Sequence, residues 1–130
     1  MVGIDTNVLV RYLVREDEVQ YERARRRIHR EAHADSVLIS LLVMLETEWV
    51  LRSRYQLAKA DIVGAFSALL DAADVHFEDE SSLEESLYLW KDSNADFADC
   101  LISARHRRLG CTATASFDNK ALKLPGFVPV

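Results

Sequence analysis

Apolar and polar positions along this chain repeatedly set a short apolar run ahead of a helical stripe. Val2 to Ile4 is such a run and stops at Asp5. Thr6 and Asn7 follow as turn or cap residues, and apolar residues then recur at Val8, Leu9, Tyr12 and Leu13. The run predicts a buried strand and the recurrence an amphipathic helix, with Asp5 at the junction. From Asp17 to Ala34 the chain is highly charged. Its sparse apolar positions, Tyr21, Ala24, Ile28 and Ala32, predict a surface helix with a narrow buried stripe. Ser36 to Ser40 reads as a second strand and Leu41 to Tyr55 as a helix burying Leu42, Leu45, Trp49 and Val50. Asp61 to Ala73 predicts another helix, on Ile62, Ala65, Phe66, Leu69 and Leu70. Val75 to Phe77 predicts a third strand, with His76 outward.

In the second half, Ser81 and Glu84 have the spacing of a capping box, ahead of a helix carrying Leu83, Leu87 and Trp90. Asp79 and Glu80 precede it as residues favoured near a positive helix end. Asp96 can cap the following helix, and Asp99 falls in its first turn. Ala98, Leu101, Ile102 and Arg105 mark one side of that helix; Asp99, Ser103 and His106 lie on an adjoining one. Gly110 is placed to end it, after Arg107 and Arg108 in the last turn. Cys111 to Ala115 predicts a fourth strand, with Ser116 and Asp118 at its carboxyl end, and Leu122, Leu124 and Phe127 anchor the tail. Strands alternating with helices predict an α/β protein, a parallel sheet with helices on both faces. No linker or repeat divides residues 1–130, so a single domain is expected.

Composition supports an ordered chain: 49% of its 130 residues are hydrophobic, with only 4 glycines and 2 prolines. No apolar run approaches the roughly 20 residues that span a bilayer, and no basic leader precedes the first strand. A cytoplasmic protein without membrane contact is the expectation. Cys100 and Cys111 lack metal-ligand spacing and read as reduced, buried thiols. His29 and His33 are four apart, but with no third ligand nearby they read as solvent-exposed.

The net charge of −5 argues at first sight against a nucleic-acid partner. The basic residues nevertheless cluster, at Arg23, Arg25, Arg26, Arg27 and Arg30 and again at Arg105, Arg107 and Arg108. Such runs suit either a solvated helix face or a phosphate contact. The acidic residues are more informative. In open α/β sheets ligands bind outside the carboxyl ends of the strands, where Asp5 and Asp118 fall. Asp5 there is either a helix cap or a ligand. Glu46 shares the expected buried face of Leu42 and Trp49, where periodicity calls for an apolar residue. Glu48 points the other way, at the ordinary surface spacing from Arg52. Two carboxylates about 5 Å apart repel by about 3 kcal/mol at an effective dielectric near 20. Were Asp5, Glu46, Asp99 and Asp118 to converge, cations or raised pKa values would have to relieve them. An all-oxygen set selects Mg²⁺ or Mn²⁺, ions that serve phosphodiester hydrolysis.

Four segments together carry a resemblance. They are Ile4-Asp-Thr-Asn-Val-Leu-Val-Arg-Tyr-Leu13, Leu42-Val-Met-Leu-Glu-Thr-Glu-Trp-Val-Leu51, Ala95-Asp-Phe-Ala-Asp-Cys-Leu-Ile-Ser-Ala104, and Ser116-Phe-Asp118 through Leu124-Pro-Gly126. In this order, end to end, the chain resembles PIN-domain proteins, most specifically the VapC-type ribonuclease toxins of type II toxin–antitoxin pairs. The resemblance implies a PIN-like domain with a parallel sheet of four to five short strands and helices on both faces. It also implies Mg²⁺- or Mn²⁺-dependent cleavage of RNA, a homodimer, and inhibition by a VapB-like antitoxin. Matched position by position, Asp5, Glu46, Asp99 and Asp118 are the catalytic and metal-binding carboxylates. Asp96, Ser116 and Asn7 are accessory, and Glu48 falls outside the motif. Cys100 stands where a small residue such as Ala is usual. Two other readings are a receiver-type phosphoacceptor domain and a noncatalytic PIN module that binds RNA or protein. The first expects adjacent acidic residues after the first strand, where this chain has Ile4-Asp5-Thr6.

Overall fold

The computed structural model describes residues 1–31 and 35–130; the expected stripe position Ala32 and the side chain of His33 lie outside the described residues. The chain forms two compact units, Met1–Glu78 and Asp79–Val130.

The first unit contains β1 (Val2–Gly3), α1 (Thr6–Leu13), α2 (Glu18–Ile28), β2 (Val37–Ile39), α3 (Leu41–Ser53), α4 (Lys59–Leu70) and β3 (Val75–Phe77). The sheet order is β1-β2-β3 and both pairings are parallel, with Val2 opposite Val37 and Val37 opposite Val75. Parallel pairing puts the three carboxyl ends, at Ile4, Ser40 and Glu78, on one edge. The chain turns there directly into helix twice. Asp5 caps α1 by accepting from the Val8 amide, and Ser40 caps α3 by accepting from the Val43 amide. Glu78 adds a second acceptor for α3, its carboxylate taking the Leu41 amide at 3.1 Å. Such short-range caps satisfy amides that the first helical turn leaves without a partner. α1 packs against both α2 and α3. The expected stripe of α2 is present in Ala24 and Ile28, both buried, and His76 faces outward as expected.

α3 departs from expectation. Its buried side is Leu41, Met44, Thr47, Glu48 and Leu51, while Leu42 and Trp49 are 77% and 58% exposed. The expected face was therefore wrong. The helix is apolar on nearly every side, so periodicity alone sets its phase poorly, and Glu46 is exposed while Glu48 is buried. His29 is exposed as expected, with its Nε2 2.9 Å from the Tyr12 hydroxyl.

The second unit contains α5 (Glu80–Lys91), α6 (Phe97–Arg108), β4 (Thr114–Ser116), a 3-10 turn (Ala121–Lys123) and β5 (Phe127–Pro129). α5 packs on α6 through Leu83, Leu87, Trp90, Phe97, Leu101 and Ala104, with the Trp90 and Phe97 rings edge to face at 5.2 Å. The expected Ser81–Glu84 capping box is replaced by Asp79. Its carboxylate accepts from the Ser82 amide at 3.0 Å and the Ser82 hydroxyl at 2.6 Å, so the helix starts earlier than the motif implied. α6 is also rotated from expectation, with Ile102 exposed and Cys100 and Ala104 buried. Gly110, at φ +94°, ends α6 as expected. The Cys111 amide is then bonded back to His106, so the strand begins only at Thr114. Cys111 is exposed, correcting the expectation that both thiols are buried; Cys100 is buried. β4 pairs in parallel with β5, Thr114 opposite Phe127 and Ser116 opposite Pro129. The α/β class and the five short parallel strands thus agree with expectation, distributed over one three-stranded and one two-stranded sheet.

Candidate metal centre

The second unit gathers three carboxylates. Asp96 occupies the N-cap position of α6 but makes no capping hydrogen bond, which leaves its carboxylate available. Asp99 follows in the first turn. Asp118 lies just past the end of β4, held by a local lattice: its amide donates to Ser116 Oγ at 2.9 Å, and its Oδ1 accepts from the Lys120 amide at 2.9 Å. One oxygen from each of Asp96, Asp99 and Asp118 lies within 4.8 Å of the others. The expected hydroxyl residue, Ser116, therefore acts on the Asp118 loop rather than on the carboxylates themselves.

Electrostatics marks Asp99 as the strained member. Burial raises its pKa above the ordinary aspartate value, and the negative charges of Asp118 and Asp96 raise it further. A cation among the three would favour the ionised carboxylate and so oppose both effects. The donor set is all oxygen, with no thiolate or imidazole, and so fits Mg²⁺ or Mn²⁺ rather than zinc.

Asp5 and Glu46 belong to the first unit. Asp5 is exposed, and its Oδ1 accepts from the Val8 amide at 3.0 Å, so the capping role is realised. It also lines a cleft of about 710 Å³, together with Asn7, Arg11, Arg23, Arg26 and Arg27. Glu46 is exposed on α3, between the exposed Leu42 and Trp49. Glu46 is thus exposed rather than buried as expected, and only its match to the motif makes it a candidate ligand.

The arginine runs divide sharply. Arg105 and Arg108 both pair with Asp79, whose side chain is only 9% exposed, and Arg107 bonds Ser103 and Glu85. Arg25 is held by Glu22 and Glu31, and Arg30 by Asp74. These are structural contacts. Asp79, expected only to favour the positive helix end, is instead its cap and the hub of two ion pairs; the arginines lie more than twenty residues away, and the Asp-x-x-Ser spacing to Ser82 is its one local signal of the cap.

The PIN domain family model matches residues 2–126. The chain belongs to the PIN-domain family. A solved structure similar to this PIN domain is that of the Mycobacterium tuberculosis toxin VapC20, described as cleaving the sarcin–ricin loop. The two share 23% sequence identity over 100% of this chain and 98% of that one, with a TM-score of 0.45. Among curated proteins none matches. No helix among the described residues of the PIN domain is long and apolar enough to cross a membrane.

Proposed function

We propose that this PIN domain is a metal-dependent endoribonuclease of the VapC toxin type, hydrolysing RNA phosphodiester bonds. The observation that carries the reading is the Asp96–Asp99–Asp118 group, an oxygen-only donor set in a PIN domain, with the pKa of Asp99 raised by burial and by its two neighbours. Asp99 and Asp118 would hold Mg²⁺ or Mn²⁺, with Asp96 accessory to them. Asp5 and Glu46 are assigned to the same centre on motif, and the whole chain then acts as one nuclease domain. When bound, the ion supplies Lewis acidity at the phosphate and a water of lowered pKa.

The protein's own residues prepare this chemistry. Ser116 and Lys120 fix the Asp118 loop, so that little reordering accompanies metal capture. Asp96, released from capping, can accept a proton or orient water at the rim of the group. Asn7, exposed near Asp5 in the same cleft, would hydrogen-bond a substrate phosphate. As a toxin of this type the protein would act in the cytoplasm as a homodimer, restrained by a VapB-like antitoxin.

The test is incubation of purified, antitoxin-free protein with RNA in Mg²⁺, in Mn²⁺ and in EDTA, beside Asp99→Asn. Cleavage that needs the ion and Asp99 is the expected result. RNA binding without cleavage in any metal would instead make this a noncatalytic PIN module.

A further inference from the structure

The cleft of the first unit has two walls. One is the end of β1 and the start of α1, with Asp5, Asn7 and Arg11; the other is one side of α2, with Gln20, Arg23, Arg26 and Arg27. Positions 20, 23 and 27 follow the i, i+3, i+7 spacing of a helix face, and 26 borders it. α2 thus sorts its arginines. Arg25, on another side, is clamped at 2.7 Å by both Glu22 and Glu31, which drives its pKa upward. Arg23, Arg26 and Arg27 make no ion pair among the described residues, although Arg26 is near enough to Glu22 and Glu31 to help lower their pKa values.

Arg11, on the opposite wall, has a buried Nε with no hydrogen-bond partner among the described residues, where its one ion pair, to Glu16, is long at 3.9 Å. The cleft therefore holds four guanidinium groups and one carboxylate, Asp5, in a protein of net charge −5. Guanidinium groups that carboxylates do not saturate are poised for anions, and their planar fork matches phosphate oxygens.

We infer that this cleft is a backbone-phosphate groove, in which Arg11, Arg23, Arg26 and Arg27 hold the RNA strand next to the phosphate that meets Asp5. These are positioning residues. The inference rests on the ribonuclease reading, because Asp5 at one wall is what makes a phosphate chain, rather than an acidic peptide, the fitting occupant. A strand delivered to Asp5 must lay its neighbouring phosphates along the same cleft.

The test measures binding of a fluorescent single-stranded oligoribonucleotide in EDTA, where cleavage cannot interfere, across a KCl series. The variants are Arg23→Gln/Arg26→Gln/Arg27→Gln, the charge-keeping Arg23→Lys/Arg26→Lys/Arg27→Lys, and Arg25→Gln as a control off the cleft. Each lost phosphate contact on a single strand should flatten the slope of log affinity against log salt by about 0.7, hence by about 2 for the triple glutamine variant. The lysine variant should keep most of the slope, and Arg25→Gln all of it. An unchanged slope in the glutamine triple overturns the groove, as does an equal loss in Arg25→Gln, which would indicate diffuse charge. A poly-glutamate peptide that binds more tightly than the RNA, and loses that binding in the triple variant, overturns it in favour of a protein dock. Wild-type cleavage in Mn²⁺ is assayed in parallel. Cleavage with an unchanged slope sinks the groove alone, whereas an altered slope without wild-type cleavage sinks the nuclease and leaves the groove.

Discussion

The Glu48 carboxylate is buried on α3 and accepts from Arg52 Nε at 2.8 Å, while Glu46, two residues earlier, stands exposed. The two glutamates of the Glu-Thr-Glu stretch therefore do different work. Glu48→Gln should lower stability by about 1–3 kcal/mol, because a buried charge-assisted bond is weakened. Glu46→Gln should leave stability within about 0.5 kcal/mol, as for most surface substitutions, and abolish cleavage. Urea melts beside an RNA-cleavage assay check both, and equal stability losses would contradict the assignment.

Asp99→Asn relieves a carboxylate that its fold disfavours. In EDTA at neutral pH the variant should melt at or above the wild-type temperature, since burial and two like charges no longer oppose an ionised group. Added Mn²⁺ should then raise its melting temperature less than that of the wild type, by the linkage of metal binding to folding. A lower EDTA melting temperature together with an undiminished Mn²⁺ shift would remove Asp99 from the metal centre.

Asp5 tests whether one side chain carries two roles. Asparagine caps a helix as well as aspartate does, so Asp5→Asn should retain the Val8 contact and change stability by only a few tenths of a kcal/mol. Cleavage should nonetheless fall to background. Asp5→Ala, which loses the cap as well, should cost about 1 kcal/mol. Retained cleavage in Asp5→Asn would leave the residue as a cap and nothing more.

The Asp79 carboxyl gives a pH-dependent readout. Burial alone would raise its pKa, but the Ser82 hydroxyl and amide, with Arg105 and Arg108, outweigh burial and hold it below the ordinary value. A depressed acid contributes stability above its unfolded pKa of about 3.9, and loses it as pH falls through the folded value. Asp79→Ala should therefore be less stable by about 1–2 kcal/mol at pH 7. The gap should narrow as the pH drops below about 4. A gap constant from pH 7 to pH 3, followed by chemical denaturation, would show that the charge is immaterial.

Much of this was legible in the chain itself, for reasons that local chemistry makes plain. Val37 to Ile39 and Val75 to Phe77 are apolar runs bounded by polar residues, and they became strands where expected. Asp5 and Gly110 have cap chemistry that needs only neighbours, and both ends fell in place. Asp96, Asp99 and Asp118 carried a motif, and the fold brings the three together. What failed depended on distant partners. The phase of α3 follows from which neighbours cover it, and eight apolar residues on all sides concealed that choice. The arginines looked alike in sequence; the positions of Glu22, Glu31, Asp74, Asp79 and Glu85 separate the paired ones from those lining the cleft.

The contrast between the two cysteines gives the protein a built-in reporter. Cys111 is open to solvent just past the end of α6, while Cys100 is sealed within that helix's buried side. A maleimide dye should accordingly react once per native chain and twice per unfolded one. Labelling stoichiometry then counts molecules that have opened, without any engineered probe. Because Cys100 is the residue next to Asp99, protection of that second thiol also follows whether the helix turn bearing the proposed metal ligand is intact. Pulse labelling with and without Mn²⁺ would turn the stoichiometry into a clock for how long that turn stays closed.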